Sequence, residues 1–187
     1  KVGSLKGSEF RITIGWVVMA SLILFAYSVP SSYDRYLNLV ETLSLGYISL
    51  SPTFPESQLA MVGFAAALVF GVFASVILHE LGHATAARKS GIDVPRIWLW
   101  VAGGLAQIDS NPVHKEFFIT IMGPAVSLLL TFVFGVISLL FSLAGLSVVS
   151  WFFTILTVLN GAILLFNLLP LFPLDGGRLL RSSLEKH

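Results

Sequence analysis

Apolar residues fill four long stretches of the chain, about 12–30, 59–88, 115–143 and 147–169. Crossing a bilayer takes roughly 20 mostly apolar residues in helical form. Each stretch therefore predicts a membrane-spanning helix, the first ending at Pro30. Polar and helix-breaking residues lie between them. Segment 31–58, with Asp34, Glu41, Pro52, Pro55 and Glu56, predicts a loop outside the membrane, of which 37–50 is expected to lie at the interface. Segment 89–114 carries two short runs of β-forming residues, 96–101 and 104–108, around Gly103-Gly104. That pattern predicts a β-hairpin. Asn111-Pro112 then reads as a helix start, and "RLLRSSLEKH" at 178–187 as the opening of another helix. The predicted fold is an all-α polytopic membrane protein. It has about four transmembrane helices, a C-terminal helix start and a small β-hairpin or sheet between the second and third helices. All of residues 1–187 form a single domain in this reading.

Composition agrees with a lipid environment. The chain is 56% hydrophobic and 11% charged, against about 25% charged residues in soluble domains. A net charge of +1 gives no reason to expect a nucleic-acid partner. With no cysteine there is neither a disulfide framework nor a thiolate metal site. The chain opens on Lys1 rather than Met, so further residues are expected before it. A basic start followed by an apolar run is also the pattern of a signal peptide, but no small-residue cleavage site follows. Basic residues set an expected orientation. With the N-terminus cytoplasmic, ten of the eleven Lys and Arg side chains fall inside, and Arg35 alone falls outside. The hairpin segment 89–114 and the C-terminus are then cytoplasmic too.

One polar cluster interrupts the second apolar run. "HELGH" at 79–83 places two histidines four residues apart with a glutamate beside the first. Residues four apart share one face of a helix, so both imidazoles can reach a single ion. A catalytic zinc makes a water acidic near neutral pH, and an adjacent carboxylate can take its proton. His79 and His83 are therefore candidate ligands of one zinc ion, and Glu80 is the candidate general base. Intramembrane ionisable groups are costly and usually functional, which outweighs the alternative of polar helix packing. Counting back from Arg88 at the interface, His83 and His79 lie roughly 7 and 14 Å deep on the cytoplasmic side.

A catalytic zinc usually takes a third protein ligand. A third histidine six residues after the second is absent, because Lys89 stands there. Glu116, at the head of the next helix, does not fit the downstream-glutamate arrangement. Asp93, Asp109, His114 and Asp175 remain. The first three lie in the polar break and read most simply as solvated. Asp175 follows the fourth helix in "NLLPLFPLDGGR", 167–178, where two prolines and a Gly-Gly pair break the helix. By topology it emerges on the same membrane face as His83, which favours it.

Taken together, "HELGH" at 79–83 and "NLLPLFPLDGGR" at 167–178 resemble the site-2 protease family of intramembrane zinc metalloproteases, microbial branch. Gly123-Pro124 in the third apolar run is similar to the family pattern too, and segment 59–181 resembles its three-helix core. The resemblance implies that Asp175 is the third zinc ligand and that Asn167 lies near the active site, against substrate or the developing oxyanion. It implies one zinc ion and a membrane-protein substrate, expected to be single-span, cut within or near its transmembrane segment. Glu80 would act as the base. Gly123 and Pro124 are expected to serve packing, and Asn160 helix-to-helix hydrogen bonding. Relatives often carry further helices and regulatory domains that this chain does not include. A membrane metal-binding or transport protein, or a non-catalytic relative, is the alternative reading.

Overall fold

The computed structural model describes residues 3–5, 8–12, 21, 57–94, 96–100, 103–107 and 113–184. Four helices occupy most of them: α1 (Gln58–Lys89), α2 (Val113–Leu143), α3 (Ser147–Asn167) and α4 (Asp175–Leu184). The first three are long and apolar enough to cross a membrane. The expected helix over 12–30 and the loop over 31–56 lie outside the described residues, apart from Ile12 and Ser21. Ile12 is the last residue of a strand rather than the first of a helix.

Each long helix is bounded by local chemistry. The Ser57 side chain accepts a hydrogen bond from the Ala60 amide and caps the start of α1. Arg88 and Lys89 fill its last turn, where cations favour the helix dipole. Gly91 adopts a positive φ of 79°. This lets the Ile92 amide return to the Ala87 carbonyl and the Gly91 amide to that of Arg88, closing the helix end. Gly145, at φ 73°, does the same for α2, and two residues later α3 begins. The α2 start expected at Asn111-Pro112 falls outside the described residues, and α2 is described from Val113.

α2 packs against each of the other three helices, and α1 has more of its span enclosed than α2 or α3. Gly82 brings α1 and α2 into backbone contact: a Cβ there would stand 2.7 Å from the Met122 carbonyl oxygen. α2 and α3 are joined by reciprocal bonds, Ser138 Oγ to the Ser150 carbonyl at 3.0 Å and Ser150 Oγ to the Ser138 carbonyl at 2.9 Å. Between α3 and α1, Asn160 Nδ2 donates to Ser75 Oγ at 3.1 Å, the helix-to-helix role expected of it. Small residues and polar bridges of this kind drive helix association where lipid leaves no hydrophobic difference to exploit. Phe70, Leu128, Leu129, Phe132, Leu139 and Leu165 point outward and are exposed, an apolar rim suited to lipid.

Strands β1 (Gly3–Leu5), β2 (Ser8–Ile12), β3 (Arg96–Trp100) and β4 (Gly103–Gln107) form one sheet in that order. β3 and β4 pair antiparallel, with Trp100 opposite Gly103. β2 adds to β3 in parallel, Glu9 opposite Arg96, and β1 folds back antiparallel on β2. The sequence reading did not foresee β1 and β2. Their residues lie in a short mixed segment ahead of an apolar run, too short to stand out as strands. β4 lies against α1, so the sheet sits beside the helix that carries the "HELGH" cluster.

α4 begins at Asp175, three residues earlier than the reading from "RLLRSSLEKH" suggests. An acidic first residue suits the free amides and the dipole of a helix start. α3 in turn ends at Asn167 rather than 169, ahead of Pro170.

Candidate metal centre

His79 and His83 follow one another by a turn on α1, and both are buried. Asp175, at the head of α4, is buried against them. Asp175 Oδ2 stands 3.1 Å from His83 Nε2 and 3.2 Å from His79 Nε2, and the two Nε2 atoms are 3.2 Å apart. Three donors thus form a nearly equilateral triangle. Donors at zinc-ligand distance and tetrahedral angles stand roughly 3.3–3.5 Å apart, so the triangle matches one face of such a site within a few tenths of an ångström.

The hydrogen bonds behind the rings support the same fit. His83 Nδ1 lies 2.9 Å from the Ile119 carbonyl oxygen, which can only accept. Nδ1 therefore carries a proton, and Nε2 is the ring atom turned to the triangle, bonded to Asp175 in the metal-free protein and free to offer its lone pair once a metal displaces that proton. His79 Nδ1 is bonded to Ser127 Oγ at 2.8 Å. Burial alone would raise the Asp175 carboxyl, but its hydrogen bonds to His79 and His83 outweigh that and hold it well below the ordinary carboxylate range. It is ionised, the form in which carboxylates ligate metals. Three ligand-type atoms converging in a buried place suit a cation, which would take the place of the proton shared among them. His79, His83 and Asp175 could hold one zinc ion.

Glu80 is buried beside this triangle, with Oε1 4.0 Å from His79 Nε2. His79, Glu80 and His83 together offer ligand atoms within 4.8 Å of one another. Asn167 is the last residue of α3 and is buried; its Nδ2 donates to the Ile163 carbonyl at 2.9 Å. Of the other residues weighed as third ligand, Asp93 is exposed, while Asp109 and the His114 side chain lie outside the described residues. Glu116 is buried but bonded elsewhere, to Arg181 and Arg178.

Three contributors escaped the sequence reading in whole or part. Ile119 supplies a carbonyl, Ser127 a hydroxyl, and Gly123 a bare backbone: a Cβ on Gly123 would lie 2.7 Å from His79 Nε2 and nearer still to His83 Nε2. Gly123 is more than a packing residue, since it forms a wall of the site. The available signal was spacing, because 119, 123 and 127 recur every four residues along one face of α2.

The chain has known relatives. The profile of the family described as "Peptidase family M50" matches residues 67–147 and 143–187, from within α1 through α4. The chain belongs to this family, the site-2 proteases. A zinc metalloprotease of Methanocaldococcus jannaschii is 41% identical over 123 residues, which are 66% of this chain and 36% of that protein. A relative in Synechocystis is 32% identical over 186 residues, 97% of this chain and 43% of its own length. The stage IV sporulation protein FB of Bacillus subtilis is 37% identical over 109 residues, 56% of this chain and 36% of its own. Among solved structures, a site-2 protease from Methanocaldococcus jannaschii superposes with a TM-score of 0.64 at 29% identity, covering 99% of this chain and 71% of that one. The chain spans less than half the length of these three curated relatives.

Proposed function

We propose that this chain is the transmembrane core of an intramembrane zinc metalloprotease, hydrolysing peptide bonds within or near the membrane-spanning segments of other membrane proteins. The observation that carries this reading is the buried triangle of His79, His83 and Asp175 with Glu80 beside it, the histidines and Glu80 on a helix long enough to cross a membrane. His79, His83 and Asp175 would hold one zinc ion, and the hydrogen bonds at His79 Nδ1 and His83 Nδ1 fix the rings that present Nε2. Bound there, zinc would polarise a carbonyl and acidify water. Glu80 would accept the attacking water's proton and pass it to the leaving amine. Asn167 Nδ2 has a second proton beyond the one given to Ile163, and it would serve the developing oxyanion.

A substrate helix must unwind before it is cut, and its freed amides then need partners. β4 is the edge of the described sheet nearest α1, and an unwound segment would add there as a strand. Proline substitutions along 103–107 should then impair cleavage and spare zinc, and unchanged cleavage would rule out strand addition there. The sheet, the N-terminal strands and α4 are assigned to the cytoplasmic side by their basic residues.

The test is zinc content and cleavage of a single-span substrate in reconstituted vesicles, for the wild type and Glu80→Gln. The reading requires zinc to stay and cleavage to fall by about 10²–10⁴. Cleavage that persists in Glu80→Gln overturns it. Zinc flux across the vesicles, independent of Glu80, would instead mark a transporter.

A further inference from the structure

Glu116 stands one turn below Ile119, near the start of α2, and is almost wholly buried. Arg181 Nη2 reaches both of its oxygens, at 2.6 and 2.7 Å, and Arg178 Nε lies 3.4 Å away. Both arginines belong to α4, three and six residues after Asp175. A buried carboxylate is retained only when paired, and the pairing here joins two helices. Arg181 also lies over the Phe172 ring, 5.7 Å from its centre, so the same side chain touches the segment that leads into α4.

The other end of α4 is a tight turn. A Cβ on Gly177 would stand 2.7 Å from the Leu171 carbonyl oxygen, and one on Gly176 would be closer still to that of Leu168. The bare glycine backbones let α4 start pressed against the end of α3. α4 packs on α2, and its ion pairs to Glu116 fall one and two turns beyond Asp175. Fixing a short helix at those points fixes the position of its first residue. Oδ2 has little latitude, since it is held at 3.1 and 3.2 Å from two rings carried by another helix.

We infer that Glu116, with Arg178 and Arg181, is a positioning element that sets where α4 delivers Asp175 to His79 and His83. The inference rests on the reading of Asp175 as third zinc ligand. It also explains why a glutamate near the site is not itself a ligand: its oxygens are committed to the arginines.

The experiment is a mutant cycle on the full chain in detergent. Zinc affinity is measured by chelator competition, and the visible absorption of the cobalt(II) form reports four-coordinate geometry. Glu116→Gln should weaken zinc by about tenfold, the range for groups that orient ligands, and should diminish the tetrahedral cobalt bands. Added to Asp175→Ala, it should change neither readout further. An equal loss in the Asp175→Ala background would show that the pair supports the helix bearing His79 and His83, and the inference would fail. It would also fail if Asp175→Ala weakens zinc while Glu116→Gln does not. Should Asp175→Ala leave zinc affinity unchanged, the ligand reading itself is wrong. Arg181→Gln runs the same cycle from a half-exposed position if Glu116→Gln does not fold, and Arg181→Lys should restore part of the affinity.

Discussion

Gly123 leaves no room for a side chain beside His79: a methyl on its Cα would stand 2.7 Å from His79 Nε2. His83 Nε2 is closer again. Gly123→Ala therefore places carbon where the donor atoms converge. Zinc affinity should drop by roughly 100-fold or more, beyond the usual effect of an orienting group. Helix content should persist, because alanine favours helix over glycine. Zinc content together with far-ultraviolet circular dichroism checks this. Full zinc occupancy in a folded Gly123→Ala protein would contradict the placement of α2 against the site.

Ser127 makes a gentler case. Its hydroxyl meets His79 Nδ1 at 2.8 Å, while its carbonyl accepts from Thr131 Oγ1. Ser127→Ala removes the partner that orients the ring but adds no bulk. The expected result is a 10–100-fold weaker zinc affinity at roughly unchanged maximal zinc content. Chelator competition distinguishes this from Gly123→Ala, in which content itself falls. Equal affinities for wild type and Ser127→Ala would show that Ser127 does not hold the ring.

Much of this was legible beforehand, for reasons that differ by element. The bounds of α1, α2 and α3 follow from hydropathy, and the structure moves them by at most two residues. His79, Glu80 and His83 were legible because one helix holds all three, so spacing alone implies proximity. Asp175 needed topology, since it lies 92 residues from His83. Ile119 and Gly123 were hard to read, because a carbonyl and a missing side chain leave no chemical mark on a sequence. Glu116 was set aside as a ligand from its position alone, without its partners in view. An ion pair between residues 65 apart has no local signature. The parallel pairing of β2 with β3 was missed for the same reason: it is non-local, and the alternation of Glu9-Phe10-Arg11-Ile12 is too short to name a partner 87 residues away.

Asp175 also gives the metal-free chain a defined acid response. Its carboxyl is depressed in the folded state by His79 and His83, against the effect of burial. A depressed folded value means the stabilisation is fully present above the unfolded value, near pH 4, and is lost as pH falls through the folded value. Below about pH 4 this one group should remove up to ~1.4 kcal/mol per pH unit. Asp175→Asn should lack that component. Chemical denaturation of the metal-free wild type and Asp175→Asn between pH 6 and pH 2, in detergent, measures the difference. Parallel stability curves over that range would show that the carboxylate gains nothing from the two histidines.

Asn160 provides the stability prediction that separates packing from chemistry. It is fully buried, and its Nδ2 donates to Ser75 Oγ and to the Leu156 carbonyl. Its Oδ1, however, has no hydrogen-bond partner among the described residues. Ser75 Oγ still donates to the Gly71 carbonyl at 2.9 Å whatever stands at 160. Replacing the amide by an apolar group of similar size removes both a hydrogen bond and an unmet acceptor, and such exchanges are often nearly neutral. Interhelical hydrogen bonds in membranes average only about 0.6 kcal/mol. Asn160→Leu should therefore change unfolding free energy by less than about 1 kcal/mol, with zinc content unaltered. Asn160→Asp should be far worse, because it buries a charge with no cation beside it. A large loss of zinc in Asn160→Leu would instead tie Ser75 and Asn160 to the metal centre one turn away, and would end the purely structural account of this pair.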